Sequence, residues 1–247
     1  MSNLDKFQTD RDSKLEKLFG DVPLETDMVV KLPTLGKFYP NGTPEVTISP
    51  IKFEDEKQLT INVKNGINPI NLILSKCVNN VDSNSLLLID KMLLLLKIRE
   101  ISYGETYPAK VSCPKCESES EINIDLSKLI IKYIPEDLAD PREITLPKLK
   151  KKVKVRFPRV ADEQFLNTQE QIYNNIWRFV TELDGTSDPV FISKAIPRMH
   201  IRDIKFILSH IMRGDLGLDP KFILQCGACG GESEMSVPIN ENFFSVI

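Results

Sequence analysis

Two short cysteine pairs carry the clearest chemistry in this chain of 247 residues. They are the CPKC motif at 113–116 and the CGAC motif at 226–229. A two-residue turn between cysteines holds two thiolates in position for half of a tetrahedral zinc site, and two such turns complete the site. The sequence therefore predicts one structural Zn²⁺ whose ligands are Cys113, Cys116, Cys226 and Cys229. Since 109 residues lie between the two motifs, the metal would join distant parts of the chain.

Independent surface turns and disulfides are the alternatives to a shared metal. Disulfides are disfavoured because the sequence shows no signal peptide and the fifth cysteine, Cys77, stands alone. Cys77 falls on the apolar face of a predicted helix, which favours a core residue over a reactive thiol. His200 and His210 lie in a helical stretch, and we expect them to be surface or packing residues because four thiols already satisfy zinc. A closed four-cysteine shell leaves no position for a water, which favours a structural over a catalytic metal.

The surroundings of the two motifs resemble each other. A shift of 113 residues superimposes the cysteine pairs, and the same shift aligns Asp90 with Asp203 and Gly104 with Gly217. Leu-Pro dipeptides at 32–33 and 146–147 precede the two copies in comparable places. Upstream segments at 46–59 and 153–166 also match, but at a different offset that requires insertions. We interpret this pattern as an internal duplication, with coincidence as the alternative.

The duplication defines a predicted architecture. We expect an α+β fold of two related lobes, each containing helices and a CxxC β-hairpin, joined at a zinc-ribbon-like four-cysteine site. The first lobe spans about 29–135 and the second about 136–247, after an N-terminal arm at 1–28. In the arm, an amphipathic helix is plausible at about 12–20, and the arm is either a frayed terminus or a segment that folds on a partner.

Local patterns predict the elements of the first lobe. Residues 28–50 read as a hairpin-like entry, since Asn41-Gly42 favours a tight turn before a returning strand. Apolar spacing predicts helices at 69–78 and 85–102. Asp90 and Lys91 interrupt the second helix and are expected on a solvated face, with a buried or interfacial ion pair as the alternative. Strands at 106–113 and 119–126 form the first ribbon, and 129–133 continues as a short strand or turn.

The second lobe repeats this outline. We expect a hairpin at 143–157, a helix from Asp162-Glu163 to about Leu183, a loop with a short helix at 188–197, a helix at 200–212 and ribbon strands at 222–226 and 232–238. The end, residues 243–247, is either a docking tail or packs onto its own lobe. A dense basic cluster reads as a nucleic-acid or acidic-partner contact, or as an edge-protecting run of solvated lysines, which the lack of interleaved aromatics favours; it comprises Lys148, Lys150, Lys151, Lys152, Lys154 and Arg156.

Composition and missing motifs narrow the function. A formal net charge of −3 gives no general attraction to nucleic acid, and the longest apolar run, near 93–96, is too short and too charged to span a bilayer. Few cysteines and no apolar leader favour a reducing cytoplasm. The sequence contains no phosphate-binding loop, GxSxG elbow or HExxH motif, so we expect no enzymatic activity.

A short N-terminal pattern resembles a known family. It reads Leu-Pro-x-x-Gly-x-Phe-Tyr-Pro, followed by an extended strand and an acidic helix start, and it resembles the T4-type bacteriophage baseplate protein family. The residues that carry the resemblance are Leu32, Pro33, Gly36, Phe38, Tyr39, Pro40 and Pro50. The resemblance implies a component or assembly factor of the baseplate hub in contractile tails.

Two functions follow as hypotheses. The first is a phage structural or assembly protein that binds other baseplate hub proteins, with the host cytoplasm during assembly, and possibly the virion tail, as its location. The second is a zinc-ribbon nucleic-acid or transcription-related adaptor, which net acidity disfavours. The identity of the bound hub protein, the oligomeric state and retention in the mature particle stay open.

Overall fold

The computed structural model describes residues 13–14, 17–18, 27–64, 69–239 and 241–244. The α-helices between residues 27 and 244 are α1 Phe53–Lys64, α2 Pro69–Cys77, α3 Leu88–Tyr103, α4 Gln169–Asn175, α5 Pro189–Ala195 and α6 Ile201–Ile211. The strands are β1 Met28–Lys31, β2 Glu45–Ile48, β3 Thr106–Ser112, β4 Glu119–Asp125, β5 Ile130–Lys132, β6 Arg142–Thr145, β7 Lys152–Val155, β8 Val180–Leu183, β9 Gly217–Asp219, β10 Lys221–Gln225 and β11 Glu232–Ser236. The expectation of a mixed α+β fold is confirmed. Most of the arm predicted at 1–28, including much of its helix at 12–20, lies outside the described residues, although 13–14 and 17–18 are helical.

The predicted first lobe, 29–135, begins with the expected hairpin. Strands β1 and β2 pair antiparallel with Val30 opposite Val46, which confirms that prediction. The connection between them returns towards α3, where the buried Asp90 carboxylate accepts hydrogen bonds from Thr34 and Tyr39. The hairpin and the helix are therefore joined by a polar contact inside an apolar core.

The predicted second lobe, 136–247, contains a three-stranded sheet in the order β6-β7-β8. Helix α6 packs beside this sheet through its apolar face, on which Ile204, Ile207 and Ile211 are buried. The Asp203 carboxylate in the first turn of α6 accepts hydrogen bonds from the backbone amides of Lys148 and Leu149 in the β6–β7 connection, at 2.7 and 3.0 Å. Like Asp90, which accepts from the amide of Thr34, Asp203 thus binds the amide that follows a Leu-Pro pair.

Two hydrophobic clusters divide the molecule unevenly. One consists of residues between 144 and 211, all from the predicted second lobe. The other combines first-lobe residues with Leu216, Leu218, Leu224 and Val237 from the far end of the chain. Strand β9 also pairs with β5, with Ile131 opposite Leu218. The last described part of the chain is thus built into the first lobe's core.

The C-terminal segment shows this most directly. Phe243 and Phe244 are buried, and the ring of Phe243 contacts that of Tyr107 in β3 with centroids 5.0 Å apart. The Tyr103 hydroxyl donates a hydrogen bond to the carbonyl of Phe244. Neither prediction for this tail holds. Phe243 and Phe244 are buried, so they are not available for docking, and they pack against residues of the predicted first lobe rather than of the second. Residues 245–247 lie outside the described residues.

The prediction of one helix from 162 to about 183 is wrong. The structure has a 3₁₀ helix at Val160–Phe165, then α4, a second 3₁₀ helix at Ile176–Phe179 and strand β8. Val180 and Leu183 are buried in β8, which pairs with β7. Apolar residues three or four positions apart are compatible with one long helix and also with these shorter elements. The end of this stretch forms a strand because it pairs with β7, a contact that the local spacing does not reveal.

The expectation of a solvated face for Asp90 and Lys91 is also wrong, because both side chains are buried. The Lys91 Nζ donates to Asn71 Oδ1 at 2.7 Å and to Glu163 Oε1 at 2.6 Å. Burial lowers the pKa of Lys91, and the Glu163 carboxylate counteracts that shift. Glu163 belongs to the second half of the sequence, so this ion pair joins the two halves.

We expect Glu163→Ala to destabilise the protein by about 2–3 kcal/mol, because it leaves the buried Lys91 ammonium with one partner fewer. The exposed Glu170→Ala substitution in α4 is the matched control, and urea unfolding measures both. A combined Lys91→Met and Glu163→Leu variant should recover most of the loss, since it removes the charge as well as its partner. A Glu163→Ala variant no less stable than Glu170→Ala would contradict this role.

Candidate metal centre

The first cysteine motif lies in the turn between β3 and β4, which pair antiparallel up to Ser112 opposite Glu119. The backbone amide of Cys113 donates to the carbonyl of Ser118 at 3.0 Å, and the amide of Glu117 donates to the carbonyl of Cys113 at 2.8 Å. Glu117 has a left-handed backbone, with φ of 58°. These bonds close a compact turn that points both thiols away from the strands.

The second motif lies in the turn between β10 and β11 and has the same hydrogen bonds. The amide of Cys226 donates to the carbonyl of Gly231 at 3.0 Å, and the amide of Gly230 donates to the carbonyl of Cys226 at 2.9 Å. Gly230, with φ of 67°, stands where the first turn has Glu117. Glycine adopts this left-handed conformation without the steric cost that other residues meet.

The two turns face each other and bring all four thiols together. The sulfur atoms of Cys113, Cys116, Cys226 and Cys229 lie within 4.8 Å of one another. Cys113 Sγ is 3.9 Å from Cys229 Sγ, and Cys116 Sγ is 3.7 Å from Cys226 Sγ. Zinc–sulfur bonds of about 2.3 Å in a tetrahedron place the sulfurs about 3.8 Å apart. The donor set therefore fits one four-coordinate metal ion in both chemistry and spacing.

Burial divides the four thiols into an inner and an outer pair. Cys113 and Cys226, the first cysteine of each motif, are 1% and 2% exposed, whereas Cys116 and Cys229 are exposed. The fifth cysteine is apart from this group: Cys77 is buried in the first hydrophobic cluster, as expected, and burial raises the pKa of its thiol to about 12.

Ser118 is a neighbour of the thiols that the sequence did not single out. Its hydroxyl lies 3.1 Å from Cys116 Sγ and 3.4 Å from Cys226 Sγ. The hydrogen bond with Ser118 lowers the pKa of Cys226 to about 6, and it also lowers the pKa of Cys116. Both shifts favour the thiolate, which is the form that binds metals. The pKa of Cys229 is instead raised to about 11: a backbone hydrogen bond at Gly231 lowers it, but the hydrogen bonds with the Cys116 and Cys226 thiols outweigh that effect. The position of Ser118, two residues after the CPKC motif, is the sequence signal that could have indicated this contact.

Gly231 and Lys115 set how closely the turns approach. A Cβ atom at Gly231 would lie 2.8 Å from Lys115 Cδ and 3.3 Å from Cys229 Sγ. The Lys115 side chain from the first turn thus lies across the second turn. Its Nζ would lie 3.3 Å from the same Cβ atom, so a side chain at position 231 could not be added without moving Lys115.

Neither histidine takes part in this centre. His200 precedes α6, and its Nδ1 accepts a hydrogen bond from the backbone amide of Arg202 at 3.1 Å. The ring of His210 lies 4.4 Å from that of Phe206. The expectation of surface or packing roles for both is confirmed. Among the described residues, the four cysteines are the one group of Cys, His, Asp and Glu side chains placed to hold a metal.

The basic cluster is largely paired with carboxylates. Lys152 contacts Glu143 and Lys154 contacts Glu182 across the strands, at 2.6 and 2.8 Å. Lys151 pairs with Asp184, and Arg156 pairs with Asp162. The lysines at 148 and 150–152 are exposed, as expected for a solvated run, but β7 is the central strand of its sheet, so the expected edge protection is wrong. The pairing also leaves little free charge along the strand for a phosphate backbone.

The fold and the cysteine site define a class of protein. It is an α+β chain in which four thiols, two from each of two distant turns, form a complete ligand set of the kind found in structural metal sites. Residues 25–245 match the family described as T4 bacteriophage base plate protein, and the chain belongs to that family. The resemblance carried by the segment at 32–50 is thereby confirmed.

No curated protein and no solved structure matches the chain. In the part of the chain that the structure describes, no helix has the length and apolarity needed to cross a membrane.

Proposed function

We propose that this chain is a non-enzymatic structural or assembly protein of the baseplate hub in a contractile-tailed phage, and that it acts by protein–protein recognition. The observation that carries the proposal is the family match across residues 25–245. A complete set of four thiols supports a structural role for the centre, since catalytic zinc sites keep one position open for water or substrate.

The metal in this proposal is a single structural Zn²⁺ held by Cys113, Cys116, Cys226 and Cys229. The sulfur spacing and the all-thiolate donor set support zinc. Bound there, zinc would fasten the β3–β4 turn to the β10–β11 turn. No other element would then be needed to hold these two hairpins together at their tips.

We further propose that the two lobes, 29–135 and 136–247, are copies of one ancestral unit that follow an arm at 1–28. Matching hydrogen bonds support this: each CxxC turn has the same two backbone bonds, and each lobe has a buried aspartate that binds the amide after a Leu-Pro pair. The aspartates are Asp90 and Asp203, which the 113-residue shift aligns. Each copy contributes one half of the zinc-ribbon-like site.

The partners in this proposal are other baseplate hub proteins, which the chain binds in the host cytoplasm during assembly. The chain then either stays in the tail baseplate of the virion as a subunit or leaves as an assembly factor. The ion pairs along β7 give no support to the alternative of a nucleic-acid or transcription-related adaptor.

The test is to block expression of the protein with a nonsense mutation and to follow the baseplates. We expect infected cells to accumulate tail fibres and capsids but no complete hubs, and complementation with the intact gene to restore them. Mass spectrometry of purified particles then separates two versions: a few copies per particle identify a resident hub subunit, and absence from particles but abundance in lysate identifies an assembly factor. Normal baseplates in the mutant would refute the proposal.

A further inference from the structure

The second lobe has an open groove of about 790 Å³ beside the first turn of α6. It lies between the β6–β7 connection, helix α5 and the residues that precede α6. Its lining combines apolar and basic side chains, chiefly Leu149, Phe191, Met199, Lys148, Lys194 and Arg198. Leu149 is 47% and Phe191 49% exposed, so the groove presents two large apolar side chains to solvent.

The corresponding place in the first lobe is filled by the chain itself. The extended segment at 157–160 lies along the residues before α3: the amide of Val160 donates to the carbonyl of Leu86 at 2.8 Å, and the amide of Leu88 donates to the carbonyl of Pro158 at 3.0 Å. The amide of Leu87 donates to the Tyr39 hydroxyl at 2.9 Å. Three consecutive backbone groups before α3 are thus bound by two inserted segments.

The residues before α6 have the same local conformation. The amide of Met199 donates to the carbonyl of Ile196, as the amide of Leu86 donates to that of Ser83. The amide of Asp203 donates to the carbonyl of His200, as that of Asp90 donates to Leu87. The correspondence is one of geometry and holds however the two lobes arose.

The two places differ in the hydrogen-bond partners of the backbone groups at 86–88 and 199–201. The Met199 carbonyl and the His200 and Ile201 amides correspond to the three bound groups of the first lobe, and they have no hydrogen-bond partner among the described residues. The β6–β7 connection, at 146–151, is also shorter than the β1–β2 connection at 32–44, and it brings no counterpart of Tyr39. The second lobe therefore has the backbone site without its occupant.

Charge indicates what kind of segment fits. Lys148, Lys194 and Arg198 form no ion pair with any described residue, whereas Lys151 is already paired with Asp184. The Asp203 carboxylate is buried and accepts from two backbone amides, so it does not neutralise these cations directly. The groove thus has surplus positive charge at its rim and apolar side chains inside it, and it complements an acidic segment with an apolar anchor.

We propose that this groove docks an extended acidic segment of a partner protein. The segment pairs with the backbone at 199–201 as residues 158–160 pair with 86–88, a form of strand addition in which main-chain bonds supply affinity and side-chain pockets supply specificity. An apolar side chain lies between Leu149 and Phe191, and flanking carboxylates meet Lys148, Lys194 and Arg198. This gives the protein–protein recognition proposed above a defined place on the molecule.

The experiment uses the full-length protein and fluorescein-labelled eight-residue peptides in anisotropy titrations. The probe peptide has a Phe-Pro-Glu-Val core flanked by aspartates. Its controls replace every acid with lysine or the phenylalanine with serine, and a single-stranded DNA oligonucleotide tests the nucleic-acid alternative. We expect the acidic peptide to bind at least about tenfold more tightly than either control peptide or the DNA. Amide NMR shifts in the unmodified protein should centre on His200 and Ile201.

The matched variants are Lys148→Glu with Lys194→Glu, against Lys76→Glu with Lys205→Glu at exposed positions outside the groove. The first pair should weaken peptide binding about tenfold or more, and the second should leave it unchanged. The proposal is overturned by no binding up to about 1 mM peptide, equal binding of the basic peptide, tighter binding of DNA, or shifts that map elsewhere. These results use purified protein, so they leave the baseplate role untouched, and normal baseplates in the nonsense mutant would not affect them.

Discussion

Replacing Cys226 with serine should release the metal and unfold the chain. Cys226 is one of the two buried cysteines of the proposed site, and its sulfur lies 3.7 Å from that of Cys116 in the facing turn. Structural zinc contributes about 10–16 kcal/mol of binding free energy in small zinc-binding peptides. Whole domains are stable by only about 5–15 kcal/mol. A three-thiolate site binds the metal too weakly to compensate, so we expect the β3–β4 and β10–β11 hairpins to separate and the chain to aggregate.

Metal analysis by mass spectrometry and thermal unfolding measure this outcome. The wild-type protein should contain one zinc per chain, and Cys226→Ser and Cys113→Ser should contain little or none. Cys77→Ala is the matched control: it removes a buried cysteine from the first cluster, so it costs some stability but should retain a full equivalent of metal. Acidification should also release the metal, because protonated thiols do not bind it. A Cys226→Ser protein with full metal content and an unchanged melting temperature would exclude the shared site.

Replacing Asp90 with alanine should destabilise the protein by about 3–5 kcal/mol, which lowers the melting temperature by about 6–20 °C for a chain of this size. The Asp90 carboxylate is fully buried and accepts from the Thr34 amide at 3.0 Å, the Thr34 hydroxyl at 2.5 Å and the Tyr39 hydroxyl at 2.7 Å. Alanine leaves these donors without an acceptor where water cannot reach them. Unpaired buried donors cost about 1–3 kcal/mol each.

Calorimetry on three variants distinguishes the loss of this buried hydrogen-bond network from the smaller loss of stability that follows removal of any aspartate near the start of a helix. Asp188→Ala removes an exposed N-cap from α5, whose carboxylate accepts from the Val190 amide, and should cost only about 1 kcal/mol. Asp203→Ala, which leaves two backbone amides unpaired, should be nearly as harmful as Asp90→Ala. If Asp90→Ala melted no lower than Asp188→Ala, the buried network would have no energetic importance.

Features with strong local signals could be predicted from the sequence. The hairpin around Asn41-Gly42 and the helices α2, α3 and α6 follow from turn chemistry and from apolar spacing over two turns or more. The cysteine group follows because two CxxC motifs rarely occur in one short chain without a shared metal. Each of these signals lies in one short stretch of residues or, for the cysteines, in two stretches that share the CxxC pattern.

Features that depend on distant partners could not be predicted. Strands β8 and β9 have four and three residues, and each exists because a distant strand pairs with it. The burial of Asp90 depends on donors that lie 51 and 56 residues away. One signal for it was available, since the shift that superimposes the cysteines also aligns Asp90 with Asp203, and a shared acidic residue in two apolar helices indicates a structural task.

The packing of Phe243 and Phe244 into the first hydrophobic cluster has a consequence for biosynthesis. Proteins emerge from the ribosome amino end first, at about 5–20 residues per second. The first lobe's own part of this cluster extends to Ile134, so its last aromatic residues are made about 5–20 s later. Throughout that interval the nascent lobe has an incomplete apolar interior that chaperones or proteases can recognise. A chain released early by the ribosome lacks these residues and cannot close this interior, so truncated copies should be unstable and open to proteolysis.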